Sequence, residues 1–134
     1  MEQNNYINIL FPVYNEQLRL EKGIMQTLKF MEASYPGEYQ LTVLDNASTD
    51  ETQNISLRIS KGYQQVKYIR IDKKGVGIAV REGIKNNACS IVGYMDVDLS
   101  TDINHLHDVM RIFKSDSNVM MINGSRLSRQ SKTL

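Results

Sequence analysis

The chain contains one cysteine, Cys89, so it can form no internal disulfide and build no cysteine-rich zinc cluster. A single thiol fits a reducing compartment. No apolar run approaches the roughly 20 residues that cross a bilayer, and "MEQNNYINI" lacks the pattern of a secretory leader. Neither acidic nor basic residues are in excess, with 16 Lys and Arg against 15 Asp and Glu. The formal net charge is +1, so no bulk field draws the chain to nucleic acid or to an anionic membrane, and no nucleic-acid partner is expected. There is no GxGxxG, no GKS or GKT, no internal repeat and no low-complexity tract. What is present is ordinary for a single globular domain: 134 residues, 41% hydrophobic and 23% charged. A chain of that length can bury a core without staples.

The order of elements follows from periodicity. "YINILFPV" is a short apolar strand. Leu20, Ile24, Leu28 and Met31 recur at helical spacing within "LRLEKGIMQTLKFMEASY". "PGEY" is a turn, and "YQLTVLD" is a β-rich run that ends in polar residues. In "STDETQNISLRISKG", Ser48 and Glu51 have capping-box spacing and Gly62 is the expected stop. "QVKYIRI" alternates as a strand, "GVGIAVREGIKNNA" is a helix opened by glycines, and "SIVGYMD" is a strand. Ile103, Leu106, Met110 and Phe113 mark a further helix, and "NVMMING" a fifth strand. This alternation predicts an α/β sandwich with a mainly parallel sheet. Right-handed crossovers then place every strand's carboxyl end along one edge, where such sheets bind ligands. The polar clusters "YNE", "DNASTD", "DKKG", "DVD" and "GSR" all follow strands.

Each cluster has a ligand reading and a plainer one. Asp96 and Asp98 are two carboxylates one residue apart at a strand end. In an extended segment they share a face and raise each other's pKa. A divalent cation, Mg²⁺ or Mn²⁺, offsets that repulsion, and a diphosphate completes its shell. The alternative is a solvated strand end in which Asp98 or Ser100 begins the next helix cap, with Asp102 in a dipole role. Asp45 and Asn46 can read a nucleobase edge or simply form a turn before a helix. Asp50 fits the helix's first turn. Pro12 belongs at the end of the first strand because it lacks a donor, and Glu16 is a ribose or base contact or a solvated acid. The glycines after "DKK" form a tight turn or an anion cradle, and Arg81 is a surface charge. Arg126 follows the last strand, where a guanidinium can clamp a diphosphate. Arg129 and Lys132 belong to a tail. His105 and His107 share no helix face and are read as structural or exposed.

The ordered set resembles the family-2 glycosyltransferases of the GT-A fold, with polyprenyl- or dolichyl-phosphate sugar transferases as the nearest pattern. "ILFPVYNEQ" is similar to their P-x-YNE opening and "VLDNASTDET" to their V-D-D-G-S-x-D-x-T segment. "GVGIAVREGIKNNA" resembles their G-x-G-x-A helix, "YMDVDLSTD" their D-x-D metal motif, and "INGSRL" their G-S-R. The resemblance implies a Rossmann-like sheet with helices on both faces. It implies a nucleotide-sugar donor, UDP- or GDP-linked, an inverting transfer, and a polyprenyl phosphate lipid acceptor. Asp96 and Asp98 would then be the catalytic metal and diphosphate site. Pro12, Tyr14, Glu16, Asp45 and Asn46 would form the nucleoside pocket, and Arg126 would meet the sugar phosphate. Two positions depart from the pattern: Asn46 stands where the second aspartate is usual, and Ala47 where glycine is usual.

Members of that family continue beyond the G-S-R strand, so residues 1–134 are expected to be one nucleotide-sugar-binding domain without its acceptor portion, natural or trimmed. Weak binding and little or no turnover are expected of it alone, with a cytoplasmic place or, for the longer protein, the cytoplasmic face of the membrane. A sheet left incomplete exposes an edge or apolar patch, which makes a homodimer a candidate assembly. Three other classes are consistent with parts of the pattern. A receiver domain would use Asp45 as phosphoacceptor, although its acidic pair should follow the first strand and a lysine the last. A nucleotidyltransferase would need a glycine-rich basic loop where "PVYNEQLRL" stands. A non-catalytic nucleotide-binding module needs neither.

Overall fold

The computed structural model describes residues 6–35, 37–89 and 91–97. Four strands and three helices alternate: β1 (Ile7–Val13), α1 (Leu20–Ser34), β2 (Tyr39–Asn46), α2 (Thr52–Gly62), β3 (Val66–Ile71), α3 (Val76–Lys85) and β4 (Ile91–Tyr94). All pairings are parallel and the strand order is β3-β2-β1-β4. The expected last helix and fifth strand lie outside the described residues, as do Asp98, Ser100, Asp102, His105, His107, Arg126, Arg129 and Lys132.

Strand alternation sorts the side chains into two layers. Ile7, Ile9, Phe11 and Val13 of β1 and Tyr39, Leu41 and Val43 of β2 pack under Leu20, Ile24, Leu28 and Met31 of α1 and Ile59 of α2. Leu10, Leu44 and Ile71 point the other way, against Ala79 of α3. Both faces of β1 and β2 are therefore covered, and nearly every residue of these strands is buried. Gly83 lets α3 approach: a Cβ there would meet Leu44 Cδ1 at 2.7 Å and Leu10 Cδ1 at 2.9 Å.

The chain moves from β1 outward to β2 and β3, then α3 carries it across the other face to the far side of β1. Strand order thus reverses between β1 and β4, and a crevice opens at the carboxyl end of such a reversal. Pro12 helps to open it. Leu10 O accepts the Met95 amide at 3.0 Å, so Leu10 faces β4, and by alternation Pro12 does too. The β1–β4 ladder has already ended at the Leu10–Tyr94 pair. The amide that proline lacks is therefore not missed.

The expected capping box at Ser48 is not formed. α2 starts at Thr52, and Ser48 Oγ instead accepts the Asn15 amide at 2.9 Å. The residue that satisfies the helix start is Asp50, whose Oδ1 accepts the Thr52 amide at 2.9 Å. Tertiary contact between two loops has claimed the serine. The glycine-opened helix is confirmed: Gly75 precedes α3 at φ 136°, a conformation open to glycine alone. Among the described residues, no helix is long and apolar enough to cross a membrane.

Candidate functional site

The polar segments after β1, β2, β3 and β4 emerge along one edge. The first two are stapled together. Asn15, at φ 49°, accepts the Thr49 amide at 2.8 Å and the Asp50 amide at 3.3 Å through its Oδ1. The Glu16 amide donates to Thr52 Oγ1 at 2.9 Å, the Gln17 amide to Asp50 Oδ2 at 3.3 Å, and the Glu51 amide to Gln17 Oε1 at 3.1 Å. Burial works to raise the Asp50 pKa, but hydrogen bonds from the Thr52 hydroxyl and amide and the Gln17 amide outweigh it. The Asp50 carboxyl is held below its usual range. Its role is to fix the two loops, as its place in the first turn suggested.

Tyr14 stands half-exposed above this staple, with Lys74 Nζ of the β3–α3 loop 5.2 Å from its ring centre. Glu16 is partly buried and pairs with Arg19 at 3.0 Å, which leaves it fewer free acceptor positions than a solvated loop acid.

The structure separates Asp45 from Asn46. Asp45 points into the α1–α2 layer and is 0% exposed. Its Oδ1 accepts the Ser48 amide at 2.9 Å; its Oδ2 accepts the Tyr68 hydroxyl at 2.6 Å and Arg70 Nη1 at 3.3 Å. Arg70 also donates to Ser48 O at 3.2 Å and pairs with Asp72 at 3.2 Å. Burial, then the hydrogen bond to Asp45, pushes the Tyr68 hydroxyl up to about 12. Both oxygens of Asp45 are thus used within the protein, and they shape the loop from below. Sequence reading passed over Tyr68 and Arg70. The one signal available was that Tyr68 and Arg70 alternate on β3, which becomes informative only when β3 is known to lie beside β2 with Asp45 opposite Arg70.

Asn46 lies on the α3 side by alternation. It is 5% exposed, and its Oδ1 has no hydrogen-bond partner, the only such buried side-chain atom among the described residues. A buried amide oxygen without a donor is unfavourable unless water or a ligand supplies one. Asp96 is exposed, between Met95 and Val97, which both pack into the α1–α2 layer. Among the described residues, no group of three or more His, Cys, Asp or Glu is placed to hold a metal ion. Of the expected ion and diphosphate residues, Asp96 is described, and Asp98 and Arg126 lie outside the described residues.

Two observations weigh against the receiver reading. The strand order β3-β2-β1-β4 differs from the 2-1-3 start of flavodoxin-like folds, and Asp45 is sealed from any phosphodonor. The sequence model of glycosyl transferase family 2 matches residues 8–133. The chain belongs to that family.

Among its relatives, glycosyltransferase AglD of Haloferax volcanii is 24% identical over 111 residues, which is 81% of this chain and 18% of that protein. The dolichyl-phosphate beta-glucosyltransferase of Saccharomyces cerevisiae is 27% identical over 88 residues, 61% of this chain and 26% of that protein. The chain therefore spans about a fifth to a quarter of the length of these two relatives. The mannosyltransferase PcManGT of Pyrobaculum calidifontis, solved with GDP-Man and Mn²⁺, superposes with a TM-score of 0.69 at 22% identity, over 84% of this chain and 33% of that one. The fold of this family member is that of the GT-A glycosyltransferases, as its parallel sheet with helices on both faces predicted.

Proposed function

We propose that these residues form the nucleotide-sugar site of an inverting glycosyltransferase that passes a sugar from a UDP- or GDP-sugar to a polyprenyl phosphate lipid. The observation that carries the reading is that Asn46, whose buried oxygen has no protein donor, ends β2 and exposed Asp96 follows β4 at the same sheet edge, on either side of β1. Both uracil and guanine offer an imino N–H, which is what Asn46 Oδ1 lacks. Tyr14 and the stapled segment 15–17 wall the nucleoside, while Asp45 supports that wall from beneath. The dolichyl-phosphate relative supports the lipid phosphate as acceptor.

Asp96, with Asp98, would hold a divalent cation, Mg²⁺ or Mn²⁺; the hard oxygen donor fits, since such ions need only one or two carboxylates beside the phosphates. When bound, that ion supplies charge neutralisation for the departing diphosphate. Arg126 is proposed to share the task. An acceptor phosphate oxygen is already anionic near neutral pH, because its second pKa is about 6. The reading therefore requires no general base from this chain. The transfer reaction, its acceptor site and its membrane association are proposals for the whole protein, and a homodimer is a proposal likewise.

Thermal shift against UDP, GDP and their sugars, with and without Mn²⁺, tests the donor site. A ligand at 100 times its Kd adds about 2.7 kcal/mol to stability. One nucleotide series should raise Tm, and Mn²⁺ should enlarge the rise. No shift with either series at millimolar ligand would refute the proposal.

A further inference from the structure

We infer that Gly23 of α1 is a positioning residue for the Asp96 segment, a role that rests on the ion-site reading above. Gly23 is buried at the end of the first turn of α1, on the face that covers β1. A Cβ built there would overlap the Val97 carbonyl oxygen and would lie 3.0 Å from both Val97 C and Val97 Cγ2. The obstruction is mainly backbone, which cannot swing aside as a side-chain tip can.

Val97 is 3% exposed and belongs to the same cluster as Leu20 and Ile24 of α1. The chain after β4 is therefore seated against α1 at Val97, the residue that follows Asp96. Among the described residues, the β1–β4 ladder ends at Tyr94 and the last backbone bond to β1 is that from Met95, so beyond Asp96 the seat on α1 takes over. The position of Asp96 is thus set by how closely Val97, its neighbour in the chain, approaches α1. Only glycine at position 23 permits that approach.

Helix propensity points the other way, since alanine is the better helix former. A glycine at the fourth position of α1 weakens the helix relative to alanine, and the close contact with Val97 is what it provides in return. A merely structural glycine is available for comparison. Gly83 also lies in a helix and faces the core, but a Cβ there meets the mobile ends of Leu44 and Leu10, far in sequence from the acidic pair.

The experiment measures Mn²⁺ affinity from its EPR signal, in the presence of GDP and of UDP, for the wild-type chain, Gly23→Ala and Gly83→Ala. Urea unfolding and metal-free nucleotide affinity are recorded for each. Gly23→Ala should weaken Mn²⁺ binding at least tenfold and change metal-free nucleotide affinity less than twofold. Gly83→Ala should lose stability and keep wild-type Mn²⁺ affinity. Backbone amide shifts of Met95 to Val97 should move in Gly23→Ala and stay in Gly83→Ala. If Gly23→Ala binds Mn²⁺ as the wild type does, or if both variants lose it in proportion to their stability, the positioning role is wrong while the ion site stands. If the wild-type chain binds no Mn²⁺ with either nucleotide, the ion site itself is refuted and the role falls with it.

Discussion

Asp45 and Arg70 occupy opposite positions on adjacent parallel strands, and Arg70 Nη1 lies 3.3 Å from the carboxylate that β2 buries. The carboxylate is sealed and the guanidinium reaches it from a partly exposed position, so the pair joins the floor of the loop after β2 to solvent.

Arg70→Met removes the cation and leaves the carboxylate to Tyr68 and the Ser48 amide. The buried carboxylate then loses its cationic partner, which lowers stability, and the partial exposure of Arg70 moderates that loss. Urea denaturation should show that loss. The double variant Asp45→Asn with Arg70→Met should be less destabilised than the sum of the single variants.

Tyr68 predicts an alkaline transition. Its folded pKa, about 12, lies above the ordinary value of 10.0. A raised pKa stabilises the fold fully below pH 10, and that contribution disappears as pH climbs from 10 towards 12. Tyr68→Phe should lower stability at neutral pH by about 1 kcal/mol and flatten the alkaline slope. Denaturation midpoints measured at several pH values check both.

Ala47 has φ 60°, a left-handed conformation that costs an L residue about 1–2 kcal/mol. Ala47→Gly should relieve it. After the entropy glycine loses on folding, a gain of about 0.5–1 kcal/mol is expected, read as a higher Tm. A fall in Tm would show that the Ala47 methyl makes a contact worth more than the strain.

Asn15 combines a left-handed backbone with the side-chain bonds that join the loops after β1 and β2. Asn15→Ala should cost about 2–3 kcal/mol and weaken nucleotide binding, because the loops are no longer preorganised. Asn15→Gly removes the bonds but not the permitted backbone, and should cost less. Calorimetry of both variants with nucleotide measures the difference.

Asp96→Asn should abolish the enlargement of the nucleotide-induced thermal shift by Mn²⁺ and leave the metal-free shift unchanged. The carboxylate is exposed, so stability should move by less than about 0.5 kcal/mol. Retention of the full Mn²⁺ increment would remove Asp96 from the ion site.

The order of strands and helices was legible in the residues, because amphipathic spacing is a local property: Leu20, Ile24, Leu28 and Met31 must share a helix face in any fold. The gathering of the polar segments at one edge followed from parallel alternation. The adjacent Asp45 and Asn46 could be named as candidates, since both end a buried strand. Period two alone implies that they face opposite layers, but not which layer holds a partner. That was decided by β3 lying beside β2, which puts Tyr68 and Arg70 on the Asp45 side and leaves the Asn46 oxygen unpaired. The same holds for Ser48, which reads as a helix cap along the chain and becomes a loop staple once Asn15 arrives from 33 residues away. Gly23 carries no signal in the sequence at all. Its necessity comes from a backbone carbonyl distant in the chain, and excluded volume between remote segments exists only after the sheet has brought them together.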